Sequence, residues 1–166
     1  VRFDLRTGER KYIRPWAPDG TALRFNWNAP LAFDPFATGT VYFGSQFVHK
    51  SENRGNSWQV VSPDLTTNDS TKQRQSESGG LTIDDSGAEN HTSLITIAPS
   101  PVEEDLIWTG SDDGKVHLSR AAGGTWVDLT GEIGGVRLRR SPTRQLGPLL
   151  VSHRRLRRRL GQHRAP

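Results

Sequence analysis

The acidic residues of this 166-residue chain that are candidates for paired chemistry are Asp84, Asp85 and Glu89, with His91 two residues on, and Asp112 beside Asp113. Two carboxylates across a cleft are the working parts of a glycosidase, and a His–Glu pair can move protons. Both acidic pairs are followed by turn residues, Ser86-Gly87 and Gly114, so turn chemistry is the plainer reading. Asp84, Asp85, Glu89 and His91 are still the residues expected to face a ligand, because loops on a rigid scaffold are where binding evolves. His91 has no partner at metal-ligand spacing. Asn90-His91-Thr92 is also a glycosylation sequon, which matters only in a glycosylating secretory pathway. The chain has no Cys, so disulfides, thiolate metal sites and Cys nucleophiles are excluded. No catalytic residue, cofactor or metal site is expected within it.

The elements that must hold these residues read as short strands. Over 1–131, apolar, β-branched and aromatic residues come in runs bounded by Gly, Pro, Asn, Asp or Ser, the pattern of strands and tight turns. Examples are Thr40-Val41-Tyr42-Phe43, Phe47-Val48-His49-Lys50 and Leu106-Ile107-Trp108. No window sustains a helical apolar stripe. No stretch approaches the roughly 20 apolar residues of a membrane-spanning helix, so no membrane span is expected.

An internal repeat sharpens this reading. Ser51-Glu52-Asn53-Arg54-Gly55-Asn56-Ser57-Trp58 recurs 68 residues later as Ser119-Arg120-Ala121-Ala122-Gly123-Gly124-Thr125-Trp126. Pro35 and Pro101 each precede a glycine, Gly44 or Gly110, by nine residues. The link from that glycine to the repeat serine is two residues longer in the second copy, where Ser111-Asp112-Asp113-Gly114 suits a hairpin turn. Each copy predicts four strands, near 23–33, 40–45, 47–51 and 57–62, then near 92–98, 105–110, 115–119 and 125–129. His49 and His117 take equivalent third-strand positions, which marks them as structural. Arg2-Phe3-Asp4-Leu5 and Lys11-Tyr12-Ile13 predict one more hairpin.

Four antiparallel strands in about 40 residues is the unit of a β-propeller. The expected organisation is all-β, a partial β-propeller: 1–21 as the last hairpin of a preceding blade, 22–63 as a blade, 64–90 as a polar insertion, 91–131 as a second blade, and 132–166 as a tail. Propellers close with about four to eight blades, so this much sheet reads as a fragment with open faces.

The octapeptide resembles the Asp-box, or bacterial neuraminidase repeat, Ser-x-Asp-x-Gly-x-Thr-Trp. The resemblance implies a structural turn between third and fourth strands, built on Ser51, Asn53, Gly55, Ser57 and Trp58, and again on Ser119, Gly123, Thr125 and Trp126. Asn53 keeps the family's acceptor; Ala121 loses it. The wider context, Phe25-Asn26-Trp27-Asn28, Ser62-Pro63-Asp64-Leu65-Thr66-Thr67, Gly79-Gly80-Leu81-Thr82-Ile83-Asp84 and Trp108-Thr109-Gly110-Ser111, is similar to large bacterial sortilin-like or glycosyl-hydrolase-like repeat proteins. This implies a non-catalytic recognition or scaffolding module of a larger, exported protein, whose partners are the missing blades and a protein or glycan ligand. The alternative it implies is a fragment of a glycoside hydrolase with catalytic acids mostly outside the chain. The arginine cluster and Tyr–Glu pair of sialidases are not matched: Tyr12 and Tyr42, the two tyrosines, sit in strand patterns.

The formal charge of +4 hides an asymmetry. Residues 1–131 carry 12 Lys/Arg against 17 Asp/Glu, a net −5, whereas 132–166 carry 10 Arg against one Glu, a net +9. Clustered Arg could neutralise phosphates, but the tail has no aromatic residue for base stacking, so nucleic acid is disfavoured. Ten Arg without a Lys, and the abrupt loss of pattern, point to translation out of frame from a high-GC gene. A genuine basic tail is the alternative. Either predicts a largely disordered segment.

Overall fold

The computed structural model describes residues 1–17, 19–74 and 90–133, and these fold into a single compact unit. They are all-β: their helical content is one 3-10 turn, Ser70–Lys72, capped where Asp69 accepts a hydrogen bond from the Thr71 N–H. The tail beyond residue 133 lies outside the described residues, as does 75–89.

Strands β1 (Arg2–Phe3) and β2 (Arg10–Lys11) pair as an antiparallel hairpin. A first four-stranded sheet comes next as a meander: β3 (Leu31–Phe33), β4 (Val41–Gly44), β5 (Val48–Ser51) and β6 (Gln59–Val60). The second repeats it with β7 (Leu94–Pro99), β8 (Ile107–Ser111), β9 (Val116–Ser119) and β10 (Val127–Asp128). All neighbours are antiparallel, which short loops permit.

The 68-residue offset holds bond for bond in the outer strands. Val61 N–H donates to Val48 O and Leu129 N–H to Val116 O, both at 2.9 Å. Val48 N–H donates to Ser62 Oγ, and Val116 N–H to Thr130 Oγ1, so a hydroxyl continues each ladder past its last strand residue. Between β3 and β4, Asp34 Oδ1 accepts from the N–H groups of Phe36 and Ala37; between β7 and β8, Ser100 Oγ accepts from those of Val102 and Glu103. Different side chains thus perform one turn-closing role. The extra two residues of the second copy form the β8–β9 turn at Asp112-Asp113-Gly114.

One predicted strand is shorter than expected. Of residues 23–33, only Leu31–Phe33 pair as a strand. Pro30 has no N–H to give a ladder, and Ala29 N–H closes a turn onto Asn26 O. The fourth strand of each sheet is likewise only two residues long, its ends taken up by the octapeptide turn and the hydroxyl closure.

Side chains opposite each other across a sheet share a face. In the first sheet the row Ala32–Tyr42–Lys50–Gln59 lies on one face and Leu31–Phe43–His49–Val60 on the other. The first of these faces packs onto the second sheet: Tyr42, Val48, Leu65, Leu94, Ile97 and Ile107 form one buried cluster, flanked by Ala32, Val61 and Trp126. Each such side chain contributes about 1.5–3 kcal/mol on burial. The far face of the second sheet carries the row Ala98–Trp108–Leu118–Val127. There Leu106, Leu118 and Leu129 cluster under Trp108 and Ile133. The second sheet therefore turns one face toward the first sheet and the other face away from it.

Candidate functional site

The octapeptide turns close one end of the sheets. In the first, Ser51 Oγ accepts from Gly55 N–H at 2.8 Å. Asn53 Oδ1 accepts from Ser57 N–H at 2.9 Å and from the Ser51 hydroxyl, while its Nδ2 donates to Ser57 Oγ. In the second, Ser119 Oγ accepts from Gly123 N–H at 2.9 Å and from Ala121 N–H; Ala121 adds no side-chain bond. Thr125, like Ser57, lies exposed at the seventh position.

Each turn then reaches backwards. Trp58 Nε1–H donates to Ile13 O at 2.8 Å, and Trp126 Nε1–H donates to Val61 O at 2.9 Å. The glycines seat against the same two residues: a Cβ on Gly55 would lie 2.9 Å from Ile13 Cβ, and one on Gly123 would lie 2.8 Å from Val61 Cγ2. Both glycines also need positive φ, +84° and +99°, where other residues are strained. Ile13 comes after β2 as Val61 comes after β6, so each sheet docks its turn on the last strand before it. The receiving residues carry no signal in the sequence beyond being β-branched and lying near a strand end.

The opposite end of the sheets gathers the polar groups. It carries the β4–β5 and β8–β9 turns together with the connections 61–74 and 90–93. Arg24 ties it together, donating from Nη2 to Asp64 Oδ2 at 2.7 Å and from Nε to Thr92 O at 3.0 Å. Buried Gln46 accepts from Arg24 N–H through Oε1 and donates from Nε2 to Ala22 O. Asp112 accepts from the N–H and hydroxyl of Ser93. Asp113 accepts from the N–H of Thr67 at 2.6 Å, and from the hydroxyls of Thr67 and Ser111. Burial raises the Asp113 carboxyl, but these donors outweigh it and hold the group below the ordinary carboxylate range. A general acid needs the reverse. The two aspartates latch the long connection to the sheets. No spacing pattern points to Arg24, Gln46, Asp64 and Ser93 as partners, since they are distant in sequence.

Of the four residues expected to face a ligand, His91 alone is described; Asp84, Asp85 and Glu89 lie outside the described residues. His91 sits at this polar end, half-buried, with Nδ1 buried and without a hydrogen-bond partner among the described residues. The sequon offers no exposed handle: Thr92 is buried and Asn90 Nδ2 donates to Phe25 O. His49 is buried deep in the first sheet, its Nε2 sharing a hydrogen bond with Ser45 Oγ at 2.8 Å, and burial pushes its pKa down to about 4. His117 is pushed down in the same way, less fully buried and opposed by Asp128. Both are neutral packing groups near neutral pH. Among the described residues no three His, Asp or Glu side chains come together as a metal site, and no helix is long and apolar enough to cross a membrane. No protein-family model matches the chain, and no curated protein matches it.

Proposed function

We propose that this chain is a run of Asp-box β-propeller blades that serves recognition or scaffolding within a larger sortilin-like assembly, and is not itself catalytic. The observation that carries the reading is the backward reach of the octapeptide turns. Trp58 onto Ile13 and Trp126 onto Val61 repeat one contact between successive units, in the same direction each time. Units added in one direction, each burying its predecessor's open face, build repeat stacks and closed propellers alike. The right spacing of glycine, tryptophan and first-position serine in both turns supports the Asp-box assignment.

Recognition rather than turnover is the reading that the polar end supports. Its described carboxylates are engaged by backbone and hydroxyl donors, and Asp113 is held ionised. A ligand site there would use the connection 64–90 and His91. The test has two parts. Incubation with a panel of plant, bacterial and host glycans is expected to release no product; turnover abolished by replacing an Asp or Glu would establish the glycoside hydrolase instead. A structure of the longer gene product is expected to place successive sheets at equal rotations about one axis, and sheets without such an axis would refute the propeller.

A further inference from the structure

Two basic side chains lie against one buried ring. The Phe25 ring stacks on the His49 imidazole, 6.4 Å between centroids at 22°, and the Arg14 guanidinium lies over the same ring, 4.3 Å from its centroid. Phe25 and His49 are buried, whereas Arg14 is exposed. The other contacts of the imidazole are uncharged. Ser45 Oγ shares a hydrogen bond with Nε2, Phe47 meets the ring edge-on, and the flanking strands bring Phe43 from β4 and Val60 from β6. Lys50, next in β5, lies on the other face and pairs with Glu52 at 3.0 Å. Arg24, beside Phe25 in the chain, is engaged by Asp64 and Thr92. Among the described residues Arg14 is thus the charged group of the stack, and no carboxylate there reaches it. Burial alone pushes the His49 pKa down, to about 4.

The piece of chain that covers His49 is held differently from the sheets. Residues 19–29 carry no strand. Side chains fasten them: Gln46 Oε1 accepts from Arg24 N–H, Gln46 Nε2 donates to Ala22 O, and Asn90 Nδ2 donates to Phe25 O. A segment fastened in this way opens at a lower free energy than strands inside a sheet.

We propose that Arg14, Phe25 and His49 form an acid-sensitive latch, in which protonation of His49 releases Phe25 and the connection 19–29 from the first sheet while both sheets remain folded. A buried imidazolium with no carboxylate at hand is costly, and it shares the Phe25 ring with a second cation. Moving Phe25 aside hydrates the imidazolium and separates the two charges. The released state takes up the proton at the ordinary pKa of 6.5, the latched state only at about 4. The released fraction therefore rises about tenfold per pH unit as pH falls through that window. The latch regulates the fold itself and does not depend on the recognition reading.

Amide hydrogen exchange on the full chain, read by mass spectrometry at about pH 6.5 and about pH 4.5 and corrected for the intrinsic rate, tests it. Peptides spanning 19–29 are expected to lose protection about a hundredfold between the two conditions, while those spanning 107–119 keep theirs. His49→Gln retains a hydrogen-bonding group for Ser45 and takes up no proton, so it is expected to abolish the change. Arg14→Gln, at an exposed position, is expected to diminish the change, because one cation then remains on the ring. Equal loss in both regions would mean global unfolding and overturn the latch, as would unchanged protection over 19–29 or a full response in His49→Gln. Should His49→Gln fail to fold, Arg14→Gln decides, and an undiminished response there overturns the proposal. None of these results bears on glycan turnover or on the axis relating successive sheets, so this inference and the functional reading fail separately.

Discussion

The two octapeptide turns are one device executed with different completeness. In the first, Asn53 ties the loop through bonds to Ser57 N–H, Ser57 Oγ and the Ser51 hydroxyl. In the second, Ala121 offers none of these, yet the turn keeps the same shape. Arg54 and Ala122 take the same left-handed backbone, and their N–H groups donate to Gly39 O and Asp105 O. Both turns share the serine hydroxyl under the glycine N–H, the glycine itself and the indole anchored on the preceding unit. The third-position side chain is therefore reinforcement, and the turn is specified by contacts that bridge units. The second turn compensates in part, since Trp126 Nε1–H is shared between Val61 O and Gly123 O.

The glycines give the sharpest break. Gly123→Ala is expected to lose about 3–4 kcal/mol, combining a strained positive φ with a clash against Val61. Gly114→Ala keeps the φ problem, at +87°, but its added Cβ meets nothing within 4 Å, so about 1 kcal/mol is expected. Urea unfolding of both variants checks the pair, and equal losses would show that docking on Val61 contributes nothing.

Acid separates the two units next. His49 has its folded pKa pushed down to about 4 against an ordinary 6.5. Above 6.5 neither folded nor unfolded state binds the proton; below it the unfolded chain does and the fold does not. Stability from this residue is thus lost as pH falls from 6.5 toward 4, on the order of 3 kcal/mol over that window at roughly 1.4 kcal/mol per unit. His49→Gln is expected to flatten the pH dependence of unfolding more than His117→Gln, because His117 is less buried and Asp128 opposes its shift.

Serine replacement tests the completeness of the turns directly. Ser119→Ala removes the second turn's side-chain acceptor and is expected to cost about 2 kcal/mol, whereas Ser51→Ala, with Asn53 still in place, is expected to cost about 1 kcal/mol. The smallest effect runs the other way. Ala121→Asn restores the missing acceptor and is expected to raise stability by about 0.5 kcal/mol; thermal unfolding of the single variant is the check, and a loss would mean that the second loop cannot accommodate the first loop's network.

The all-β character, the paired four-strand units and the turn positions were legible because they are written locally. Alternating apolar runs between Gly, Asn and Asp need only a few neighbours to read. The two-residue difference between copies also located the β8–β9 turn. Residues 23–33 suit a strand by their apolar content, but the turn from Asn26 to Ala29 and the missing N–H of Pro30 interrupt it and leave only Leu31–Phe33 as a strand. Of the polar end, Asp112 and Asp113 were legible as turn residues but not as acceptors for Ser93 and Thr67, 19 and 46 residues away.

By itself the amino-acid order determined the period, the hairpin tips and the kind of sheet, since those depend on side-chain alternation and on backbone angles that only certain residues tolerate. Tertiary structure alone decided which carbonyl each indole meets, which carboxylate is quenched by which hydroxyl, and which apolar residues are buried between the two sheets. Those outcomes depend on where separate segments of chain come to rest beside one another, and no local pattern of residues encodes a distance across space.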